Sequence, residues 1–327
     1  MAYLVTGGTG FIGSYVVRDL LNAGKEVVCL QRSGVTPTFR EVVSEDNIHK
    51  VKVIQGDVSN TLQLFDLIRE NDIDLIIHLG YLQNGPGDLQ PAYALRVNCI
   101  GTNNVLEAAR LFGLKRVIWS SSGKAIGRLG EFYQEPIGDD NAIYMPDTMY
   151  GATKAVNEVM AKLYFEKFGV DVIGFRLGRT YGGVGKWLGP GGLFARFIRK
   201  AALNIPVTIA KEDADPVRGN GYAYIEDISN LIVKACEAPT TKTRVFNAIE
   251  GIYTNRQVIE TIRNINPQAR VTIGESVESE VFKNTRPALL DATKVRIELG
   301  WKPKYSLEEG LRKFFNYFRQ QEGMPLL

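Results

Sequence analysis

The fold follows from one stretch near the start of the chain, Ala2-Tyr3-Leu4-Val5-Thr6-Gly7-Gly8-Thr9-Gly10-Phe11-Ile12-Gly13. Its first five residues predict a short buried strand, and a helical pattern over residues 15–21 follows the glycines at once. A glycine turn between a strand and a helix presents backbone N–H groups and the positive end of a helix dipole. Gly7 allows the tight turn, Gly10 the close approach of a ligand, and Gly13 close packing of helix on strand. This arrangement predicts a site for the pyrophosphate of a dinucleotide.

Composition narrows the class of protein. The 327 residues are 45% hydrophobic and 23% charged, and 39 basic against 36 acidic side chains leave a net charge of +3. We therefore expect a globular protein with no nucleic-acid and no membrane partner. The sequence shows no apolar run as long as a membrane span or a signal peptide, so a cytoplasmic location is expected. Three scattered cysteines and two histidines argue against a metal site and against a Ser-His-Asp hydrolase.

Strand and helix patterns alternate through the first half of the chain. Short apolar runs at 25–30, 51–57, 74–81, 115–119 and 172–177 predict parallel strands. A long helix is expected from residue 92 to residue 111. The fold class is thus α/β, a Rossmann-type doubly wound parallel sheet with a smaller α/β C-terminal substrate domain. We predict a dinucleotide-binding domain over 1–178, with return segments near 222–250, and a substrate domain over 179–221 and 251–327.

The ends of the predicted strands supply further candidate contacts with the cofactor. After the second strand comes Gln31-Arg32-Ser33, where an acidic residue would favour NAD. Arg32 and Ser33 instead favour the 2′-phosphate of NADP, although Arg32 could also be a solvated turn residue. Asp57 and Val58 are expected near the adenine, and Asp57 could equally cap the next helix. The remaining predicted contacts are Phe11, Ile12, Leu79, Gly80 and Tyr81.

A tyrosine and a lysine four residues apart are the candidates for chemistry. Tyr150 and Lys154 open a helix, and their spacing places them on one face, one turn apart. A phenol is a poor base at neutral pH because its ordinary pKa is about 10. A neighbouring cation favours the phenolate, so the pair predicts a general acid/base. The serine run Ser120-Ser121-Ser122 lies at the same predicted edge of the sheet.

With these motifs in order, the chain resembles the extended, epimerase/dehydratase-like branch of the short-chain dehydrogenase/reductase superfamily. The motifs that carry the resemblance are 6–13, 56–57, 78–80, 98–109, 120–122, 150–154, 176–182 and 299–303. The resemblance implies that Tyr150 is the acid/base and that Lys154 lowers its pKa while holding the nicotinamide ribose. It also implies that Ser122 polarises the substrate oxygen and that Asn98 supports Lys154 through a water.

The sequence also departs from relatives of this branch. Sugar-nucleotide 4,6-dehydratases carry an acidic pair after the catalytic Ser or Thr, whereas this chain has Gly123-Lys124. Lys124 is either a surface cation or a substrate contact. Arg179 stands where epimerase-like relatives place a residue that faces the substrate phosphates. The arginine usual in enzymes of UDP-sugars is replaced by Asn220, and Arg218 and Arg286 are candidates out of the usual register. Each of these arginines could also be a structural ion-pair partner.

These observations leave three functions open. The first is an NAD(P)-dependent oxidoreductase that moves a hydride between nicotinamide and a secondary alcohol or ketone of a polar small molecule. The second is a sugar-nucleotide epimerase of the UDP-hexose 4-epimerase type, which uses the same residues and retains NAD. The third is a non-catalytic NADP-sensing regulator, against which the intact set Ser122, Tyr150 and Lys154 argues. By resemblance, the long helices at 92–111 and after Tyr150 could form the face of a homodimer.

Overall fold

The computed structural model describes residues 2–83, 86–127, 136–141, 143–184, 192–211, 214, 219–274 and 288–327. Its centre is a parallel sheet of seven strands in the order β10-β6-β5-β4-β1-β2-β3. The strands of this sheet are β1 (Ala2–Thr6), β2 (Glu26–Gln31), β3 (Val51–Gln55), β4 (Ile73–His78), β5 (Arg116–Ser122), β6 (Val172–Leu177) and β10 (Val245–Ala248). The sheet reverses its winding between β1 and β4, which is the place where doubly wound folds bind ligands.

Helices cover both faces of this sheet and also build a second layer. They are α1 (Phe11–Asn22), α2 (Pro37–Val43), α3 (Glu45–Ile48), α4 (Thr61–Glu70), α5 (Pro86–Leu89), α6 (Pro91–Leu95), α7 (Gly101–Phe112), α8 (Met149–Phe168), α9 (Leu193–Ala202), α10 (Ile225–Glu237), α11 (Asn255–Ile265), α12 (Thr293–Glu298) and α13 (Leu307–Gln321). None of the helices in the described part of the chain is long and apolar enough to cross a membrane.

Strand β1 shows why the sheet is buried on both faces. Its side chains alternate, so that Tyr3 and Val5 enter one core, beside α1 and α10. Ala2 and Leu4 enter the core on the other face, beside α4, α7 and α8. All five residues of β1 are buried. A strand covered on both faces reads as a continuous apolar run, as the sequence predicted.

A second lobe has its own core and two small sheets. Strands β7 (Arg179–Tyr181), β9 (Gly219–Tyr224) and β11 (Gly251–Thr254) form one sheet, and β8 (Val207–Ala210) pairs with β12 (Val271–Gly274). Helices α9, α11 and α13 close this core, which contains the side chains of Phe197, Ile259 and Phe314. The predicted division into domains stays a prediction.

One segment of the predicted substrate domain packs elsewhere. Leu290, Val295 and Trp301 belong to the core of the large sheet. The Trp301 indole Nε1 donates to the Asp227 carbonyl at 3.1 Å, which fixes this segment to α10. Residues 290–301 therefore contribute to the core of the large sheet.

The helix predicted over residues 92–111 is interrupted. A π-helical turn, Arg96–Ile100, separates α6 from α7. The prediction of one continuous α-helix was wrong at this point because the apolar pattern does not reveal a change in backbone hydrogen bonding. Turns of this kind are frequent at functional sites, and this one contains Asn98.

Candidate active site

The glycine turn has the geometry of a cradle. Gly7 has a φ of +69°, and a Cβ there would meet the Leu79 and Gly80 backbone at 2.8 Å. A Cβ on Gly13 would collide with the Gly7 carbonyl oxygen, so α1 packs on the turn only with glycine at this position. Gly10 is the N-cap of α1, and no side chain caps the helix there. The first N–H groups of α1 can therefore bind an anion, and this cradle fits the pyrophosphate of NAD or NADP.

A cavity of about 860 Å³ extends from this turn along the carboxyl ends of the strands. Nearly all the predicted cofactor contacts line it: Gly7, Gly10, Phe11, Ile12, Gly13, Gln31, Arg32, Ser33, Asp57, Val58, Leu79, Gly80, Tyr81 and Tyr150. Ser122 and Arg179 line it as well, whereas Lys154, Asn98 and Lys124 do not. Phe194 and Phe314 of the second lobe complete the walls. No motif marks these two residues in the sequence, because a phenylalanine facing a cavity has the same pattern as one in a core.

Ser122 and Tyr150 meet at the cavity. Ser122 ends β5, and Tyr150 lies in the first turn of α8, whose N-cap Thr148 accepts a hydrogen bond from the Gly151 N–H at 3.0 Å. Burial raises the pKa of Tyr150 to about 12, and the hydrogen bond with Ser122 opposes this rise. Ser122 and Tyr150 thus both lie at the cavity, and their catalytic roles stay predictions. The lowered pKa expected for Tyr150 is not found, because burial outweighs the contact with Ser122.

Lys154 lies behind the cavity wall. Its side chain is fully buried, and Nζ donates to the Ser120 carbonyl at 2.5 Å. The same Nζ is 2.8 Å from the centroid of the Tyr81 ring. Burial lowers the pKa of Lys154 well below its usual range. In this conformation the lysine faces a carbonyl and a ring, so the predicted contact with a nicotinamide ribose remains a prediction.

Asn98 holds the wall together from the π-helical turn. Its side-chain amide bonds both backbone groups of Leu82, at 2.8 and 2.9 Å, and donates to the Thr153 hydroxyl at 3.0 Å. The backbone carbonyl of Asn98 accepts hydrogen bonds from the side chains of Asn157 and Thr102. Asn98 thus joins the segment after β4 to α8 beside Lys154. Its predicted action through a water stays a prediction.

The predicted adenosine end carries Arg32. Its guanidinium donates to the Tyr93 hydroxyl and lies 5.5 Å from the centroid of that ring. The Tyr93 hydroxyl in turn donates to Asp57 Oδ2 at 3.4 Å. Asp57 accepts hydrogen bonds from Ser59, and these hydrogen bonds help to lower its pKa. The cap of α4 is Asn60, so the alternative role of Asp57 as that cap was wrong.

The four predicted substrate residues differ in their position relative to the cavity. Arg179 lies 5.1 Å from the ring centroid of Phe194 and 5.8 Å from that of Tyr222. Lys124 forms an ion pair with Asp147 at 3.6 Å and does not reach the cavity. Arg218 and Arg286 lie outside the described residues.

A buried ion pair behind the serine run was missed from the sequence. The Glu158 carboxylate accepts two hydrogen bonds from Arg176 Nε, at 3.0 and 3.1 Å, and one from Nη2 at 2.7 Å. Ser121 and Tyr144 donate to the same carboxylate. A signal was available, because Arg176 interrupts an apolar strand and a charge placed there needs a buried partner. Each serine of the run thus has its own partner, which is Lys154 for Ser120, Glu158 for Ser121 and Tyr150 for Ser122.

No group of three or more His, Cys, Asp or Glu side chains in the described ranges could hold a metal ion. The cavity wall presents the Ser122 hydroxyl and the Tyr150 phenol beside the dinucleotide cradle.

Comparison with known proteins identifies the family. The family model described as GDP-mannose 4,6 dehydratase matches residues 4–314. A UDP-glucose 4-epimerase of Mycolicibacterium smegmatis is 28% identical, with 98% of this chain and 99% of the relative covered. The UDP-glucose 4-epimerase of Thermotoga maritima, solved with UDP-glucose, is 25% identical with a TM-score of 0.84, over 98% of this chain and 100% of that one.

A further solved structure, the UDP-glucose 4-epimerase of Thermus thermophilus in complex with NAD, is 26% identical with a TM-score of 0.80 and covers 98% of this chain and 99% of that one. The family match spans the glycine turn, the serine run and the Tyr150–Lys154 pair. The chain therefore belongs to the GDP-mannose 4,6-dehydratase family, within the extended short-chain dehydrogenase/reductase superfamily of NAD(P)-dependent enzymes.

Proposed function

We propose that this enzyme is a sugar-nucleotide 4-epimerase that retains its dinucleotide. The observation that carries the proposal is that Ser122 and Tyr150 both lie on the wall of the cavity that begins at the glycine turn. The full-length similarity to UDP-glucose 4-epimerases supports the same reaction. It favours this alternative over the simple oxidoreductase that the sequence placed first.

Two side chains supply the proton chemistry. Bound NAD or NADP supplies a hydride acceptor and donor at the nicotinamide ring. Tyr150, as the phenolate, accepts the proton of the sugar 4-hydroxyl as that carbon is oxidised and returns it when the carbon is reduced on the opposite face. The proposal therefore requires that bound dinucleotide and substrate offset the burial that raises the pKa of Tyr150. Ser122 donates a hydrogen bond to the same oxygen and keeps it oriented. Inversion requires the 4-keto sugar to turn within the cavity between these two steps.

The substrate diphosphate needs a cation, and Arg179 is our candidate. In the register of the small sheet, Arg179 on β7 lies opposite Tyr222 on β9. Asn220, which replaces the usual arginine, lies two residues earlier on β9. The Arg179 guanidinium therefore places a positive charge on β7, next to the strand that carries Asn220. Elimination of water, as in a 4,6-dehydratase, is not proposed because Gly123-Lys124 replaces the acidic pair.

The bound nucleotide distinguishes the two reactions. The protein is purified without added cofactor and denatured, and the released nucleotide is identified and counted. We expect about one dinucleotide per chain, together with interconversion of UDP-glucose and UDP-galactose by NMR without net change in nicotinamide absorbance. A chain that carries no dinucleotide, and that consumes NADPH in proportion to a ketone substrate, would instead establish the oxidoreductase.

For the cofactor itself we propose a preference for NADP. Arg32 and Ser33 line the adenosine end of the cavity, and Gln31 stands where an acidic residue would favour NAD. Arg32→Ala should weaken NADP binding by about tenfold relative to NAD, since it removes one charge-assisted hydrogen bond to the phosphate. The retained dinucleotide is first removed by reversible denaturation, and titration of the emptied protein with each nucleotide by calorimetry measures the ratio. Arg40→Ala, at an exposed ion pair with Glu45, is the matched control, and an unchanged NADP/NAD ratio in Arg32→Ala rejects the preference.

We also propose that the enzyme is a homodimer. Five apolar side chains of the α6–α7 segment and α8 are 40–52% exposed: Leu95, Ile100, Val156, Val159 and Leu163. These helices pack on one another, and several exposed apolar side chains on packed helices favour an interface. Sedimentation equilibrium should give a dimer for the wild type and a monomer for Val159→Asp. A monomeric wild type would contradict the proposal.

A further inference from the structure

The Lys154 ammonium is buried without an ionic partner in the described part of the chain. Its nearest polar contact is the Ser120 carbonyl, and its side chain has no exposed surface. Glu158, one turn further along α8, is occupied by Arg176, Ser121 and Tyr144. Burying a charge costs several kcal/mol when it is not compensated. The Glu158 carboxylate raises the pKa of Lys154, but burial outweighs this effect. The remaining groups that can favour the charged form are the other side chains around Nζ.

Three aromatic rings surround Nζ. The ring centroid of Tyr81 is 2.8 Å away, that of Tyr150 is 5.5 Å away and that of Trp119 is 5.8 Å away. The faces of such rings attract cations, most strongly where water is excluded. Tyr81 is the nearest by far, and it separates Lys154 from the cavity, since Tyr81 lines the cavity wall and Lys154 does not.

The other titratable groups around Lys154, apart from Glu158, carry no negative charge that could stabilise the ammonium in place of the Tyr81 ring. His78 from β4 is bonded to Thr6 and Thr102, and burial together with the Lys154 charge lowers its pKa well below the usual range. Cys99 from the π-helical turn has a raised pKa because it is buried. The raised pKa values of Tyr150 and Tyr81 have the same cause. Apart from Glu158, these neighbours are neutral at pH 7.

We propose that Tyr81 is a positioning residue whose ring face keeps the Lys154 side chain charged and directed at the Ser120 carbonyl, beside Tyr150. The inference deepens the proposed function and rests on it in one respect, because a cation one turn from Tyr150 matters only if that phenol exchanges protons. The effect of Tyr81 on the protonation of Lys154 is independent of any substrate.

Two substitutions separate the ring from the hydroxyl. Tyr81→Phe keeps the ring face, and Tyr81→Leu keeps an apolar side chain without it. Proton loss from Lys154 is followed by NMR in protein labelled with ¹³C at lysine Cε, with the Lys154 signal assigned by its absence in Lys154→Arg. We expect Tyr81→Leu to lower the titration midpoint of Lys154 by about one pH unit, the size of a desolvated cation–π contact. Tyr81→Phe should stay within a few tenths of a unit of the wild type.

The outcomes are distinct. An unchanged or raised midpoint in Tyr81→Leu overturns the proposal, and so does an equal fall in Tyr81→Phe, which would assign the effect to the hydroxyl. If Tyr81→Leu does not fold, Tyr81→Met makes the same comparison. The alkaline limb of kcat/KM should move down with the midpoint in the ring-less variant. Absence of epimerase activity in the wild type would remove this second readout and reject the proposed function, while the NMR titration would still decide the role of Tyr81.

Discussion

Tyr150→Phe is expected to lower kcat for sugar-nucleotide epimerisation by about 100- to 10,000-fold, the usual contribution of a general acid/base. The substitution removes only the phenolic oxygen that accepts and returns the proton of the 4-hydroxyl. Tyr150 lies beside Ser122 on the wall of the cavity, and no other phenol in the described residues is hydrogen-bonded to that serine. Steady-state rates with UDP-galactose, measured at several pH values, test the expectation.

Cofactor retention is the control for this variant. The released dinucleotide should stay near the wild-type stoichiometry, because the cradle is built from Gly7, Gly10 and Gly13, on the other side of the sheet's switch point. Tyr144→Phe removes a phenol that donates to Glu158 outside the cavity and should keep most of the turnover. If Tyr150→Phe retained wild-type kcat, Tyr150 would not be the proton-transfer group.

Glu158→Ala is expected to lower the free energy of unfolding by about 3–5 kcal/mol. It leaves the Arg176 guanidinium, whose side chain is 3% exposed, without the carboxylate that it contacts. The remaining acceptors of Arg176 are the Asp139 carbonyl at 3.1 Å and Asn247 Oδ1 at 3.3 Å, and neither carries a charge. Denaturation in urea, followed by circular dichroism, measures the loss.

Two further variants test the cause. Glu308→Ala breaks an exposed pair with Arg312 and should change stability by less than about 1 kcal/mol. The double variant Glu158→Leu with Arg176→Met removes both charges and should recover most of the loss, because the penalty comes from leaving one charge alone. A double variant as unstable as Glu158→Ala would mean that packing or the hydrogen bonds of Ser121 and Tyr144 dominate.

The proposals are connected through the serine run at the end of β5. Ser122 reaches the Tyr150 phenol, the Ser120 carbonyl holds Lys154, and Ser121 donates to Glu158. All three serines line the cavity, and one tripeptide therefore contacts both the cavity and, through Ser121, the buried ion pair. A loss of stability at Glu158 should therefore also disturb Tyr150, and the two predictions are separated by comparing Tm with kcat in each variant.

The order of the local elements could be predicted from the amino-acid sequence. An apolar run, a glycine turn and a helical pattern specify a strand, a dinucleotide cradle and a helix, because each depends on residues close together in the chain. The spacing of Tyr150 and Lys154 likewise placed both on one face of α8. The parallel sheet and most of the cavity wall followed from these elements and from the rule that ligands bind at carboxyl ends of strands.

The surroundings of those residues became visible in the folded chain and could not be predicted from the sequence. The partners of Lys154 come from Ser120 and Tyr81, 34 and 73 positions earlier in the chain. The pKa of Tyr150 is set by its burial and by the contact with Ser122. Three other features also depend on packing that the sequence does not show: the π-helical turn at Asn98, the Glu158–Arg176 pair and the Arg32–Tyr93 contact. Burial and long-range contact are properties of the packed chain, and no local pattern in the sequence encodes them.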